Sequence, residues 1–128
     1  MSGPALTPEV RIRPATPEDA EVCGRIFYDA FVTINRSHNF EPEVPAVEAG
    51  VGILRMLFSH PRFYCVVAER GGRVLGSNCL DERSTIAGLG PVSVDPEVQN
   101  TGIGRTLMLS VMNHARERGF HFGRARER

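Results

Sequence analysis

The stretch from Val92 to Arg105 constrains the fold more than any other part of this chain. Ile86, Leu89, Val92 and Val94 are apolar and bounded by turn residues, which predicts a strand over Ile86 to Val94 despite Gly88 and Gly90. Asp95-Pro96 ends it, since proline has no N–H to donate to a ladder. Beyond the polar connection from Asp95 to Thr101, the residues Ile103, Leu107, Met108, Val111, Met112 and Ala115 recur at three- and four-residue steps. They predict a helix from about Thr101 to Arg118, with Gly119 at its C-cap and Arg116 and Arg118 at the negative end of its dipole. A strand that feeds a helix in this way calls for a sheet covered by helices.

The upstream residues extend that plan. Val10 to Arg13 alternates like a short strand, and Thr16-Pro17-Glu18-Asp19 is a helix start: hydroxyl cap, proline at the first position, carboxylate at the third. Cys23, Ile26, Phe27, Ala30, Phe31 and Ile34 then form one apolar helix face. Asn35 to Pro45 reads as a loop, and Val47, Val51, Leu54, Leu57 and Phe58 predict a second helix ending before Pro61, weakened by Gly50 and Gly52. Phe63 to Ala68 and Arg73 to Leu80, joined by Gly71-Gly72, predict a β-hairpin, with Asp81 to Thr85 a polar connection. The expected class is α/β (α+β), a mixed, mostly antiparallel central sheet with flanking helices. One domain is expected over residues 10–122, with a flexible lead-in over 1–9 and a disordered tail over 123–128.

Charge and cysteine usage narrow the function classes. Fifteen basic and fifteen acidic side chains cancel, so no overall field draws the chain to nucleic acid or to an anionic membrane, and any anion must be held locally. No apolar run reaches the roughly 20 residues of a membrane span, and the start carries no secretory pattern, so a cytoplasmic protein is expected. Cys23, Cys65 and Cys79 show no C-x-x-C spacing and read as buried free thiols. His38, His60, His114 and His121 lack ligand spacing and read as surface or capping residues, so no metal site is expected. Tyr28 and Tyr64 read as core.

The chemistry concentrates where the last helix begins. A helix N-terminus leaves its first N–H groups unpaired and carries partial positive charge, so oxygen-rich anions bind there. Gly102 and Gly104 would let such oxygens approach the backbone, with Gln99, Asn100, Thr101 and Arg105 as donors at the rim. No lysine follows Gly104, against a P-loop, and the spacing from Val94 to Gly102 disfavours a dinucleotide fold. What remains is Gln99-Asn100-Thr101-Gly102-Ile103-Gly104 behind Val92-Ser93-Val94-Asp95-Pro96, the form Q/R-x-x-G-x-G/A after a strand.

In these residues the chain resembles the GNAT superfamily of N-acetyltransferases, in order from Ile12 to Gly119. The resemblance implies an acyl-CoA dependent enzyme that moves an acetyl group from acetyl-CoA to an amine. The pyrophosphate would rest on the N–H groups from Gln99 to Arg105, Ile103 included, and the pantetheine arm would pair like an added strand along Val92, Ser93 and Val94. By the same resemblance the Val94 N–H is the candidate oxyanion donor. Relatives often carry a carboxylate on the strand entering this motif, but Ala87 to Val94 holds none; Glu82, with Asp81 beside it, is the nearest candidate base. The family's further strand, helix and hairpin have no counterpart after Phe122, so the strand before the motif is expected to be an open edge. A truncated frame, a completing chain or a homo-oligomer would follow from that. The alternative function is a non-catalytic or truncated coenzyme A binding module.

Overall fold

A computed structural model describes residues 9–37, 46–83, 86–99 and 101–122. The elements are β1 (Arg11–Pro14), a 3-10 turn (Pro17–Asp19), α1 (Ala20–Ser37), α2 (Val47–Ser59), β2 (Phe63–Arg70), β3 (Arg73–Asp81), β4 (Ile86–Leu89), β5 (Ser93–Val94), a 3-10 turn (Pro96–Val98), α3 (Ile103–Glu117) and β6 (His121–Phe122). The sheet runs β1-β2-β3-β4-β6, with β5 also on β3. Every pairing is antiparallel except β4 with β6.

Two cores form because alternate side chains of a strand point to opposite faces. Cys65, Val67 and Cys79 meet Cys23 and Phe27 of α1 and Leu54 and Leu57 of α2 on one face. On the other, Val66, Ala68, Leu75 and Leu80 meet Ile103, Leu107, Val111 and Ala115 of α3. Leu54, Leu75, Leu80 and Leu107 are fully buried, each contributing about 1.5–3 kcal/mol. The three cysteines are buried free thiols. Burial pushes the Cys23 thiol up to about 12, and a hydrogen bond with Cys65 together with burial raises Cys79. Neither thiol ionises readily, which suits packing rather than chemistry.

Four sequence expectations are corrected. Asn35 to Ser37 belong to α1 rather than to a loop, because the helical hydrogen bonding persists; residues 38–45 of that stretch lie outside the described residues. Gly50 does not simply weaken α2. A Cβ there would stand 2.8 Å from the Gly24 carbonyl oxygen, and one on Gly24 would stand 2.4 Å from Val51 Cα, so both glycines permit the close crossing of α1 and α2. The strand expected over Ile86 to Val94 is two strands, β4 and β5, broken where Gly90 takes φ 109° and a cis peptide joins it to Pro91. The edge beyond β4 is not open throughout: His121 and Phe122 pair in parallel with Ile86 and Ala87. The expected lead-in over 1–9 lies outside the described residues except for Glu9, and the expected tail over 123–128 lies outside them.

The start of α1 follows its sequence signal and adds an ion cluster. Thr16 donates its N–H to Asp19 Oδ2 at 2.8 Å, and Arg13 donates to both Asp19 oxygens at 2.9 Å while its Nε bonds Glu69. The Arg13 hydrogen bond holds the buried Asp19 carboxyl below the usual carboxylate range. A depressed carboxyl contributes stability above its unfolded value, near 4, and loses it as pH falls through the folded one. Thermal melting should therefore be flat from neutral pH to about 5 and drop below about 4, and Arg13→Gln should flatten that acid limb. An unchanged limb in Arg13→Gln would remove this cluster from the account.

Candidate functional site

β5 and the first turn of α3 sit side by side because Val94 leads through one short turn into the helix. Asp95 caps that turn, its Oδ1 accepting from the Glu97 N–H at 3.0 Å, and Arg73 ties Asp95 Oδ2 at 2.7 Å. Thr101 closes the connection by donating its hydroxyl to the Val98 carbonyl. Gly102 is the N-cap at φ 90°, and its carbonyl accepts from the Thr106 N–H and hydroxyl, each at 3.0 Å. The N–H groups of Ile103, Gly104 and Arg105 open the helix and lack intrahelical acceptors. No acidic residue stands in this first turn to compete with an anion.

The edge of β5 presents the second half of the arrangement. Gly76 and Ser77 of β3 pair with Val94 and Ser93, and Asp95 donates its N–H to the Leu75 carbonyl at 2.8 Å. Successive N–H groups of an extended strand alternate in direction, so the Val94 N–H points to the edge away from β3. No strand pairs with that edge among the described residues. Val92 is exposed, Ser93 is buried beneath α1, and Val94 lies 3.5 Å by its Cγ2 from where a Gly104 Cβ would stand.

The structure thus brings Val94 of β5, preceded by Val92 and Ser93, beside Gly104 in the first turn of α3, with Gln99, Thr101, Gly102, Ile103 and Arg105 in the connection and turn around it, while Asn100 lies outside the described residues. Gln99, Thr101 and Arg105 are exposed at the rim, and Ile103 turns inward to the α3 core. Glu82 lies elsewhere. It is 8% exposed on the α3 face, and its Oε2 is 3.1 Å from His114 Nε2, about 16 Å along the helix from the glycine turn. His114 in turn stacks on Tyr64 with ring centroids 3.5 Å apart, so this histidine is neither a surface nor a capping group. Periodicity could not reveal the cluster, because it joins two strand ends to a helix that is remote in sequence.

Other features fall away from this edge. The open cleft of about 280 Å³ between α1 and α2 is lined by Glu21, Arg25, Glu48 and Arg55 with two valines, and shares no residue with it. Among the described residues, no cluster of His, Cys, Asp and Glu could hold a metal, and no helix is long and apolar enough to cross a membrane.

Comparison with known proteins follows the same segment. A family model described as acetyltransferase (GNAT) matches residues 26–124. A crystal structure of a GNAT family acetyltransferase from Brucella melitensis in complex with acetyl-CoA is 30% identical, with a TM-score of 0.66, covering 88% of this chain and 71% of that one. A PaiA N-acetyltransferase from Thermoplasma acidophilum in complex with coenzyme A is 19% identical, TM-score 0.62, over 88% of this chain and 75% of that one. An aminoglycoside acetyltransferase from an uncultured soil metagenomic sample, in complex with sisomicin, is 22% identical, TM-score 0.58, over 88% and 74%. At these identities the last two share the fold. No curated protein matches the sequence.

Proposed function

The chain belongs to the acetyltransferase (GNAT) family, and on that premise we propose that it transfers the acetyl group of acetyl-CoA to an amine, with Val92 to Arg105 as the coenzyme site. The observation that carries this is that the outward Val94 N–H of β5 and the unpaired N–H groups of the first turn of α3 lie on neighbouring segments, Val94 Cγ2 being 3.5 Å from where a Gly104 Cβ would stand. The helix turn at Gly102 to Arg105, with Gln99 and Thr101 exposed beside it, suits a pyrophosphate. The β5 edge suits an amide-bearing arm, which would lie along Val92, Ser93 and Val94 as an added strand.

The chain's residues would then act by positioning and electrostatics. Fixing the thioester along a rigid strand orients its carbonyl for attack, and the Val94 N–H is the donor for the charge that develops on the carbonyl oxygen. As the neutral amine nitrogen bonds to the acyl carbon, the C–S bond breaks and the thiolate leaves with the bonding pair; the nitrogen gives up one proton and the thiolate takes up one, so the products are the amide and free thiol. The acceptor and a cytoplasmic location belong to this proposal and not to the fold.

Calorimetry with acetyl-CoA tests binding, and release of free thiol on a panel of alkyl, aryl and peptide amines tests turnover. Binding together with amine-dependent thiol release is the expected result. Binding without release on any amine would favour a coenzyme A binding module instead, and no binding would overturn both.

A further inference from the structure

We infer that Asn78 is a positioning residue: it holds a one-residue slip in the sheet, and this slip turns the Val94 N–H outward to the acyl group. The inference rests on the acetyltransferase activity proposed above. β3 pairs Leu80 with Leu89 of β4 and Ser77 with Ser93 of β5. From Ser77 to Leu80 is three residues, whereas from Leu89 to Ser93 is four, so the facing segment carries one residue more than β3, a β-bulge.

The extra residue decides which way Val94 faces. Beside β4, the Gly90 N–H donates to the Cys79 carbonyl at 2.8 Å. Bonded positions recur at every second residue of an antiparallel pair, so without the slip Val92 and Val94 would be the next to bond β3. Instead the Asp95 N–H donates to the Leu75 carbonyl at 2.8 Å, and the Val94 N–H is left pointing away. The side chains flip as well. Leu89 and Val94 are five residues apart, which on an unbroken strand puts them on opposite faces, yet both lie against the α3 core. Without the slip, neither the outward N–H nor the approach of Val94 to Gly104 would exist.

Asn78 satisfies what the slip leaves unpaired. Among the described residues, the Cys79 N–H meets no backbone acceptor on β4 or β5, although its own carbonyl is bonded by Gly90. It donates instead to Asn78 Oδ1 at 2.8 Å. Asn78 Nδ2 donates to the Leu107 carbonyl at 3.3 Å, one turn of α3 beyond Gly104, and lies 3.9 Å from Met108 Sδ. A carbonyl has two lone pairs, so Leu107 accepts this bond without giving up its helical one. Asn78 is fully buried, where an amide must have both ends paired; one end holds the slip and the other holds α3. It stands two residues from Gly76, the register partner of Val94. An apolar side chain in its place would leave the Cys79 N–H buried and unsatisfied, which favours any rearrangement that returns a backbone acceptor to it and undoes the slip.

The test measures acetyl-CoA affinity by calorimetry alongside the melting temperature. Asn78→Leu removes both bonds at similar volume and should bind at least about tenfold more weakly at about pH 5.5. Asn78→Asp is the rescue, because burial favours a neutral carboxyl, which accepts from Cys79 and donates to Leu107 as the amide does. Its affinity should lie within about threefold of the wild type at about pH 5.5 and at least about tenfold below it at about pH 8.5, where the carboxyl ionises and the donor is lost. Val111→Ala loosens the same face of α3 away from the slip; it should lower the melting temperature and keep affinity within about twofold. Near wild-type affinity in Asn78→Leu, or a loss in Val111→Ala as large as that in Asn78→Leu, overturns the inference. So does an Asn78→Asp affinity that keeps one ratio to the wild type at both pH values, a comparison that decides alone should Asn78→Leu not fold. Failure of the wild type to bind acetyl-CoA would instead bring down the acetyltransferase proposal.

Discussion

Gly102→Val should weaken acetyl-CoA binding by about 100-fold or more, with a stability loss of only about 1–3 kcal/mol. Gly102 caps α3 at φ 90°, a conformation that L side chains rarely adopt, and valine is branched at the atom that makes it costly. The surroundings do not forbid the side chain: a Cβ at Gly102 meets no atom within 4 Å. The substitution therefore acts in two local ways. It pulls the first N–H groups of α3 out of line, and it fills space that anion oxygens need. Gly104 is different, since a Cβ there would touch Val94 Cγ2 at an ordinary 3.5 Å. Gly104→Ala should change affinity by less than about threefold. Wild-type binding by Gly102→Val, measured by calorimetry, would place the coenzyme elsewhere.

Gly76→Ala should cost both stability and coenzyme binding without touching the coenzyme. A Cβ at Gly76 would stand 2.5 Å from the Ser93 carbonyl oxygen, 3.2 Å from Val94 Cα and 3.1 Å from Leu107 Cδ1. The first two are backbone and cannot rotate away, so β5 must shift off β3 and carry its outer edge with it. Overpacking of this kind costs about 1–3 kcal/mol, or roughly 4–12 °C in melting temperature for a chain of this size. Acetyl-CoA affinity should fall by about tenfold or more as the Val94 N–H moves relative to Gly104. Gly52→Ala is the control: nothing lies within 4 Å of its Cβ on α2, so it should stabilise by about 0.5–1 kcal/mol and leave binding alone. A Gly76→Ala protein that melts and binds like the wild type would show that β5 is not held in place by this close approach.

Much of the candidate site's local structure was legible because its parts are contiguous. Asp95-Pro96 announces the end of β5, and Gly102-Ile103-Gly104 announces the start of α3; local backbone chemistry dictates both. Gly119 was equally readable: at φ 80° it lets its own N–H reach the Arg116 carbonyl at 3.1 Å and the Phe120 N–H reach that of Ala115 at 2.9 Å. The carboxylates were not legible. Asp81 and Glu82 are adjacent in sequence and look alike as polar residues at a strand end. The pleat sends one to Gly88 and Arg83 and the other to His114, on opposite faces.

The glycines divide in the same way. A glycine that caps a helix or turns a hairpin is recognised by its neighbours in the chain, as Gly71-Gly72 and Gly119 were. Gly24, Gly50 and Gly76 are required by backbone that approaches from Val51, from Gly24 and from Ser93, which no window of sequence contains.

The sequence by itself determined the order of the elements and the helix start that follows Val94, because capping, proline and periodicity act within a few residues of the chain. Tertiary structure alone decided that the edge leading to that start breaks at Gly90 and Pro91, that His121 and Phe122 return to cover β4, and that Asp81 borders Gly88. The reason is physical: those outcomes depend on strand register and on which face each side chain takes, and register is set by packing between segments far apart in the chain.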